Sequence, residues 1–257
     1  MKKINISIVI CVADDNRLKQ MLDSIYCVCE VILVLNGATD EIRKIARDFK
    51  SNTKCKVKIF EIEDKNLSKA RNIGTKNATY NKVVHYDSDC IMVKGALEEY
   101  DKYLNNYYLV DGKVKFRNDT FSSKIISKLR NMGIPGYALC PSVGINKKII
   151  KYIDYYFDED IKWVEDTEMN RRVKRNNLEV GFIQKLTCIH DNLTFKQDLK
   201  SAYRYGYGAK LSVKKGIRKK GKIGNWFLTP RCFSKSILLG LYSVAWNICF
   251  AIGYLIN

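Results

Sequence analysis

Four short β-branched runs separated by helical spacing constrain this chain more than any other feature. Residues 6–12 (ISIVICV) form the first, and residues 31–35, 57–62 and 82–86 follow. Compact apolar runs of this length suit strands buried on both faces of a parallel sheet. Within 17–26, Leu18, Met21, Leu22 and Ile25 recur at helical spacing. Asn36-Gly37 marks a turn, and Thr39 or Asp40 caps a helix reaching Phe49. Residues 68–78 supply another helix. Strands alternating with helices imply βαβ units and an α/β fold with a mainly parallel central sheet flanked by helices. Such sheets bind ligands beyond the carboxyl ends of their strands. Asn36 and Asp87-Ser88-Asp89 lie at such ends.

The second half is less periodic. Residues 107–116 contain Asp111-Gly112, the signal of a two-residue hairpin turn. A helix is expected over 122–132 and strand over 137–145. A polar helix over 167–176 would turn Met169 and Val173 inward. Residues 178–189 read as one long strand or a strand pair, and 193–211 as a tyrosine-rich helix.

The chain has 257 residues, 46% of them hydrophobic, which excludes a disordered polyelectrolyte. Residues 4–13 after Met1-Lys2-Lys3 resemble a leader, but Asn5, Ser7 and Asp14-Asp15 favour a buried first strand. The nine cysteines form no C-x-x-C, and with two histidines they argue against a zinc site and for reduced thiols.

Charge is unevenly placed. Of 45 Lys and Arg residues, eleven lie in 199–257, where there is no Asp or Glu, so that segment carries eleven of the +18 net charges. The basic block 210–222 belongs to it. Residues 236–256 then carry no charge, and 21 helical residues reach about 30 Å, the thickness of a hydrocarbon core. This segment is either a buried C-terminal helix or one that enters or lies on a membrane. No basic residue follows Lys235, so a polybasic collar beside an anchor explains the charge better than nucleic acid does.

Neither G-x-G-x-x-G nor a P-loop occurs, so the phosphate cradles of dinucleotide and P-loop chemistry are missing. Asp87 and Asp89, two residues apart at a strand end, can converge on Mg²⁺ or Mn²⁺. The plain alternative is a solvated acidic loop.

Five stretches in order carry a resemblance. They are residues 6–11 with Leu22, Ser24 and Ile25, then 31–40 (VILVLNGATD), 67–74 (LSKARNIG), 83–89 (VVHYDSD) and 157–172 (FDEDIKWVEDTEMNRR). Over roughly 4–192 the chain resembles inverting glycosyltransferases of family 2, with a GT-A fold. The resemblance implies a nucleotide-diphosphate sugar as donor, UDP-linked by expectation, with Mn²⁺ or Mg²⁺. The acceptor would be a glycan or lipid-linked hydroxyl. Asp87 and Asp89 would hold the metal, with Asp87 and Ser88 also near the donor. Arg71 would contact the diphosphate or hold the metal carboxylates. Asn36 stands where many relatives carry the Asp of the base pocket; it either accepts from the base or only forms the turn. Asp64 or the backbone at Val12 and Asp14 is the alternative base contact.

Asp166 would be the base that takes the acceptor proton, with Glu165 positioning the acceptor. Helix capping is the plain alternative for both. His190 is a third metal ligand, a phosphate contact or a structural residue, and His85 reads as packing. Trp163 stacks on a sugar or packs in the core. Residues 203–208 (YRYGYG) would close over donor or acceptor.

The expected organisation is a catalytic domain over 1–195, split at 92/93 into nucleotide-sugar and acceptor halves, and basic, hydrophobic helices over 196–257 on the cytoplasmic face of the cell membrane. The competing readings are a non-catalytic membrane-associated scaffold and a nucleic-acid-binding module. The intact acidic pairs oppose the first, and their negative charge in the cleft opposes the second.

Overall fold

The computed structural model describes residues 2–132, 137–218 and 228–256. Part of the basic block, Lys219, Lys220 and Lys222, lies outside the described residues. Chain order is β1 (Lys3–Val12), α1 (Leu18–Asp23), β2 (Val28–Asn36), α2 (Asp40–Asn52), β3 (Lys56–Ile62), α3 (Leu67–Asn77) and β4 (Lys82–Asp87). Then come β5 (Cys90–Met92), α4 (Ala96–Tyr103), β6 (Leu109–Phe116), α5 (Phe121–Arg130) and β7 (Ser142–Asn146). The chain ends with α6 (Ile150–Ile153), α7 (Glu165–Arg175), β8 (Val180–His190), α8 (Phe195–Lys214), α9 (Thr229–Lys235) and α10 (Ile237–Ile256).

Among the described residues the eight strands form one sheet in the order β3-β2-β1-β4-β7-β6-β8-β5. β3, β2, β1 and β4 run parallel, as their unbroken apolar runs require. Ile8, Val9, Ile10, Val31, Ile32 and Leu33 have no exposed surface. β7 is antiparallel to both β4 and β6. β6 is parallel to β8, and β5 pairs antiparallel with β8 at the far edge. The half built by β3, β2, β1 and β4 is thus parallel and the other half mixed.

The first half follows its periodicity closely. Thr39 caps α2 by accepting from Ile42 N at 3.4 Å. Asn66 caps α3 by accepting from Lys69 N at 3.0 Å. Met169 and Val173 are buried on α7. His85 packs inside β4, where Thr75 Oγ1 lies 3.0 Å from Nε2. Burial first, and the nearby Arg71 charge second, hold its pKa well below the ordinary value, so it stays neutral.

The hairpin expected at Asp111-Gly112 does not form. Both residues lie within β6, which shifts register against β8 between Asp111 and Lys113. Glycine is required there for closeness rather than for turning. A Cβ on Gly112 would lie 1.9 Å from the Tyr100 hydroxyl and 2.5 Å from Thr187 Oγ1. The strand expected over 137–145 is shorter, starting at Ser142. Residues 178–189 lie within a single stretch that contains the one long strand β8.

Residues 203–208 lie within α8, in agreement with the helix expected over 193–211, and Gly206 brings that helix against the Phe250 carbonyl of α10.

Candidate functional site

The site forms where β1, β4 and β8 end beside the start of α7. Two groups of charged side chains meet there.

The first is built on Arg71. Its guanidinium is buried on α3, 3% exposed, and donates to Asp87 Oδ1 at 3.0 Å and to the Glu165 carboxylate. Sequence reasoning expects Glu165 on the acceptor; the structure turns it inward instead, 2% exposed, against Arg71. The reason is electrostatic: a carboxylate that deep needs a cation. Glu165 Oε2 has no hydrogen-bond partner. Burial pushes the Glu165 pKa up to about 7, against the pull of Arg71. Arg71 thus pairs with Asp87, one of the two carboxylates expected to hold a metal.

Asp166 is half-buried beside this group. Its Oδ1 accepts from Thr167 N at 2.6 Å and its Oδ2 from Cys140 N at 3.1 Å. Oδ1 thereby takes up a first-turn N–H of α7, whose N-cap residue Val164 offers no side-chain cap. Burial raises the Asp166 pKa, while Arg71 and the two N–H groups oppose the rise. Asp111 joins here, through its carboxylate, which accepts from Leu139 N at 3.1 Å. Burial, together with the charge of Asp166, pushes it to about 7. Sequence reasoning missed Asp111 because the following glycine imitates a turn.

The second group surrounds Asp89. Cys90 pairs with His190 across β5 and β8, and Asp191 N donates to Asp89 O at 3.0 Å. That register sets His190 Nε2 3.3 Å from Asp89 Oδ2. His190 Nδ1 lies 2.9 Å from the Asp191 carbonyl. A carbonyl only accepts, so Nδ1 carries a proton and Nε2 is the atom aimed at Asp89. An imidazole nitrogen and a carboxylate oxygen thus face each other, the atom types that ligate a divalent cation. A ligating histidine characteristically anchors its other nitrogen in this way. Arg17 enters the same group, 3.3 Å from Asp89 Oδ2, while its own partner Asp15 holds it at 2.7 Å. Burial raises the Asp89 pKa, with His190 and Arg17 opposing. No sequence pattern marks Arg17, Asp15 or Asp191 as part of this site.

Among the described residues no three or more His, Cys, Asp or Glu side chains form a complete metal cage. Asp89 and His190 bring one carboxylate and one imidazole together, while Asp87 is paired with Arg71. Mg²⁺ and Mn²⁺ accept such sets when substrate phosphates complete the shell.

Of the base-pocket candidates, Val12 and Asp14 follow Cys11, the register partner of Asp87, while Asn36 and Asp64 lie at and beyond the ends of β2 and β3. Asn36 Oδ1 accepts from Asn66 N at 2.9 Å, so its oxygen closes the loop before α3. Gly37 follows with φ +65°, the turn conformation. Asp64 is exposed and pairs with Lys69 at 3.2 Å. Val12 is buried at the end of β1, Asp14 is exposed in the loop beyond it, and Ser88 is buried between the two aspartates. Trp163, at φ +70°, lies beneath Arg204 of α8, whose guanidinium carbon is 4.2 Å from the ring centroid.

Residues 7–147 match the sequence model of glycosyl transferase family 2, more than half of the chain. The chain belongs to that family. It is a glycosyltransferase. A mannosyltransferase, PcManGT from Pyrobaculum calidifontis, solved with GDP-Man and Mn²⁺, shares the fold at 15% identity and TM-score 0.66, covering 97% of this chain and 73% of its own. The 1–349 fragment of S. aureus TarS in complex with UDP-GlcNAc aligns at 16% identity and TM-score 0.58, covering 98% of this chain and 90% of its own. At these identities the likeness concerns the GT-A fold alone. No curated protein matches the sequence.

Proposed function

We propose that this glycosyltransferase moves a sugar from a nucleotide-diphosphate sugar, with UDP as the nucleotide, to a hydroxyl of a glycan or lipid-linked acceptor, inverting the anomeric centre. The observation that carries the reading is the junction at Arg71, which joins donor-side Asp87 to acceptor-side Glu165 next to Asp166. The two fold neighbours were solved with GDP-Man and with UDP-GlcNAc, which supports a nucleotide-sugar donor.

Asp166 takes the proton of the acceptor hydroxyl. The acceptor oxygen bonds to the anomeric carbon as the bond to the diphosphate oxygen breaks, and the diphosphate leaves with the electron pair. One base suffices, because the displacement is single and in line. The N–H groups of Cys140 and Thr167 hold the Asp166 carboxylate in one orientation. Its raised pKa makes it a stronger base than a free aspartate. Glu165 is a positioning residue, anchoring the start of α7 to Arg71.

Asp89 and His190, with Asp87, would hold Mn²⁺ or Mg²⁺, which neutralises charge on the diphosphate when bound. Arg71 and Arg17 orient these carboxylates through their ion pairs. The catalytic role is assigned to 1–195 and membrane association to 196–257, placing synthesis of a cell-surface polysaccharide or glycolipid at the cytoplasmic face. A panel of UDP-, GDP- and dTDP-sugars, scored for donor hydrolysis with and without Mn²⁺, tests the reading. UDP-sugar turnover is expected; hydrolysis of none would overturn it.

A further inference from the structure

Helix α10 has the length and composition to cross a bilayer, with a mean hydropathy of 1.6 over its most apolar window. Its packing points elsewhere. One face is committed to the protein: Leu239, Tyr242, Trp246 and Phe250 are buried. The Tyr242 hydroxyl donates to Asp198 Oδ2 at 2.6 Å, and buried Asp198 also pairs with Arg130 of α5. A Cβ on Gly253 would lie 1.9 Å from the Tyr203 carbonyl, so α8 and α10 meet backbone to backbone. At its last turn, Lys210 Nζ of α8 donates to the Leu255 carbonyl at 3.2 Å. A helix leaving this seat to span a bilayer would strip a hydrogen bond from a buried carboxylate and open that contact.

Among the described residues nothing covers the opposite face. Ile237, Leu241, Ile248, Ile252 and Leu255 are 74%, 56%, 46%, 41% and 63% exposed. Their spacing of three, four and seven residues places them on one stripe. Exposed Arg231 and Lys235 lie on the helix leading directly into α10, and Lys210 marks its other end. No acid occurs anywhere from 199 to 257.

We propose that α10 docks lengthwise on an anionic lipid bilayer through this stripe, without crossing it. An apolar stripe flanked by cations suits the boundary between acyl chains and anionic headgroups. A second copy of the chain suits it poorly, because a two-fold contact would bring like-charged segments together with no acid to answer them. The proposal rests on the membrane association given above and deepens it. α8, the seat of α10, also braces the segment before Asp166: a Cβ on Gly208 would lie 2.1 Å from the Lys162 carbonyl, and Arg204 covers Trp163. Docking therefore holds the acceptor side of the site close to the lipid surface.

The full chain, mixed with phosphatidylcholine vesicles with or without phosphatidylglycerol, provides the test. Co-sedimentation is expected only with phosphatidylglycerol, and alkaline carbonate should release the bound protein. The triple variant Leu241→Glu, Ile248→Glu, Ile252→Glu should bind at least about tenfold more weakly, with unchanged melting and unchanged donor hydrolysis. Arg231→Glu with Lys235→Glu should weaken binding as well. Wild-type binding that resists carbonate would overturn the proposal in favour of a spanning helix. A wild-type dimer that the triple variant converts to a monomer, without vesicle binding by either, would overturn it in favour of self-association. Donor hydrolysis is read in the same samples, so loss of docking and failure of the transferase assignment are separate results.

Discussion

The buried Arg71 guanidinium donates to Glu165, 94 positions later in the chain, and to Asp87 at 3.0 Å. One side chain thereby couples the end of β4 to the start of α7. Arg71→Ala leaves a buried carboxylate unpaired. A loss of about 3–5 kcal/mol in urea unfolding is expected, together with loss of activity. Arg71→Lys should recover part of the stability, since a lysine restores the charge but not the two-armed contact.

Glu165 and Asp166 are adjacent in sequence but assigned different work. Asp166→Asn should lower kcat at least about 10³-fold while the melting temperature stays near wild type. Glu165→Gln should lower the melting temperature by several degrees and reduce kcat far less. Comparable kcat losses in the two variants would refute the division of roles.

The pH profile follows from the raised Asp166 pKa. The base must be ionised, so kcat/KM should rise with pH and level off above that raised value, later than a free aspartate would give. Asp111, pushed to about 7 by burial and by the charge of Asp166, ionises after it and is still neutral across the acid limb. Asp111→Asn should therefore leave the acid limb of kcat/KM in place. A limb moved to lower pH in this variant would show that Asp111 is already charged where Asp166 titrates.

The Asp89–His190 pair makes a prediction that needs no turnover. Mn²⁺ binding in the presence of UDP, read by electron paramagnetic resonance, should weaken at least about tenfold in Asp89→Asn and in His190→Ala. His85→Ala should leave it unchanged, since that ring is neutral and turned to Thr75.

Glu30 tests the scaffold rather than the site. Its buried carboxylate accepts from Ser7 Oγ at 2.6 Å and Thr79 N at 2.7 Å, and pairs with Lys58 at 3.0 Å. Burial alone would raise its pKa, but these donors prevail and lower it from 4.5 to about 2. Its contribution to stability is complete above pH 4.5 and lost as pH falls towards 2. Glu30→Ala should cost about 3 kcal/mol at neutral pH in urea unfolding, and less as the solution is acidified.

The alternation of strands and helices, the Asp87–Asp89 loop and the ordered family stretches were all legible before folding. Each depends on local rules: a period of two or 3.6 residues, a cap, a strand end. Asp111 was not legible, because a glycine after an aspartate signals a turn unless something crowds the backbone. Here Tyr100 and Thr187 crowd it, and they arrive from α4 and β8. Arg17 and Asp191 were equally hidden, since β1 and β8 are far apart in sequence.

The sequence by itself determined that this chain builds a GT-A sheet with acids at its strand ends, and that its last helix is long, uncharged and preceded by cations. Tertiary structure decided that Glu165 faces inward to Arg71 while both Asp166 oxygens accept backbone N–H groups. It also decided that α10 presents one apolar face to the protein and one to its surroundings. The physical reason is the same in each case. Hydrophobic periodicity sets where an element forms, whereas the cost of burying a charge or a hydroxyl without a partner is settled only when distant elements meet.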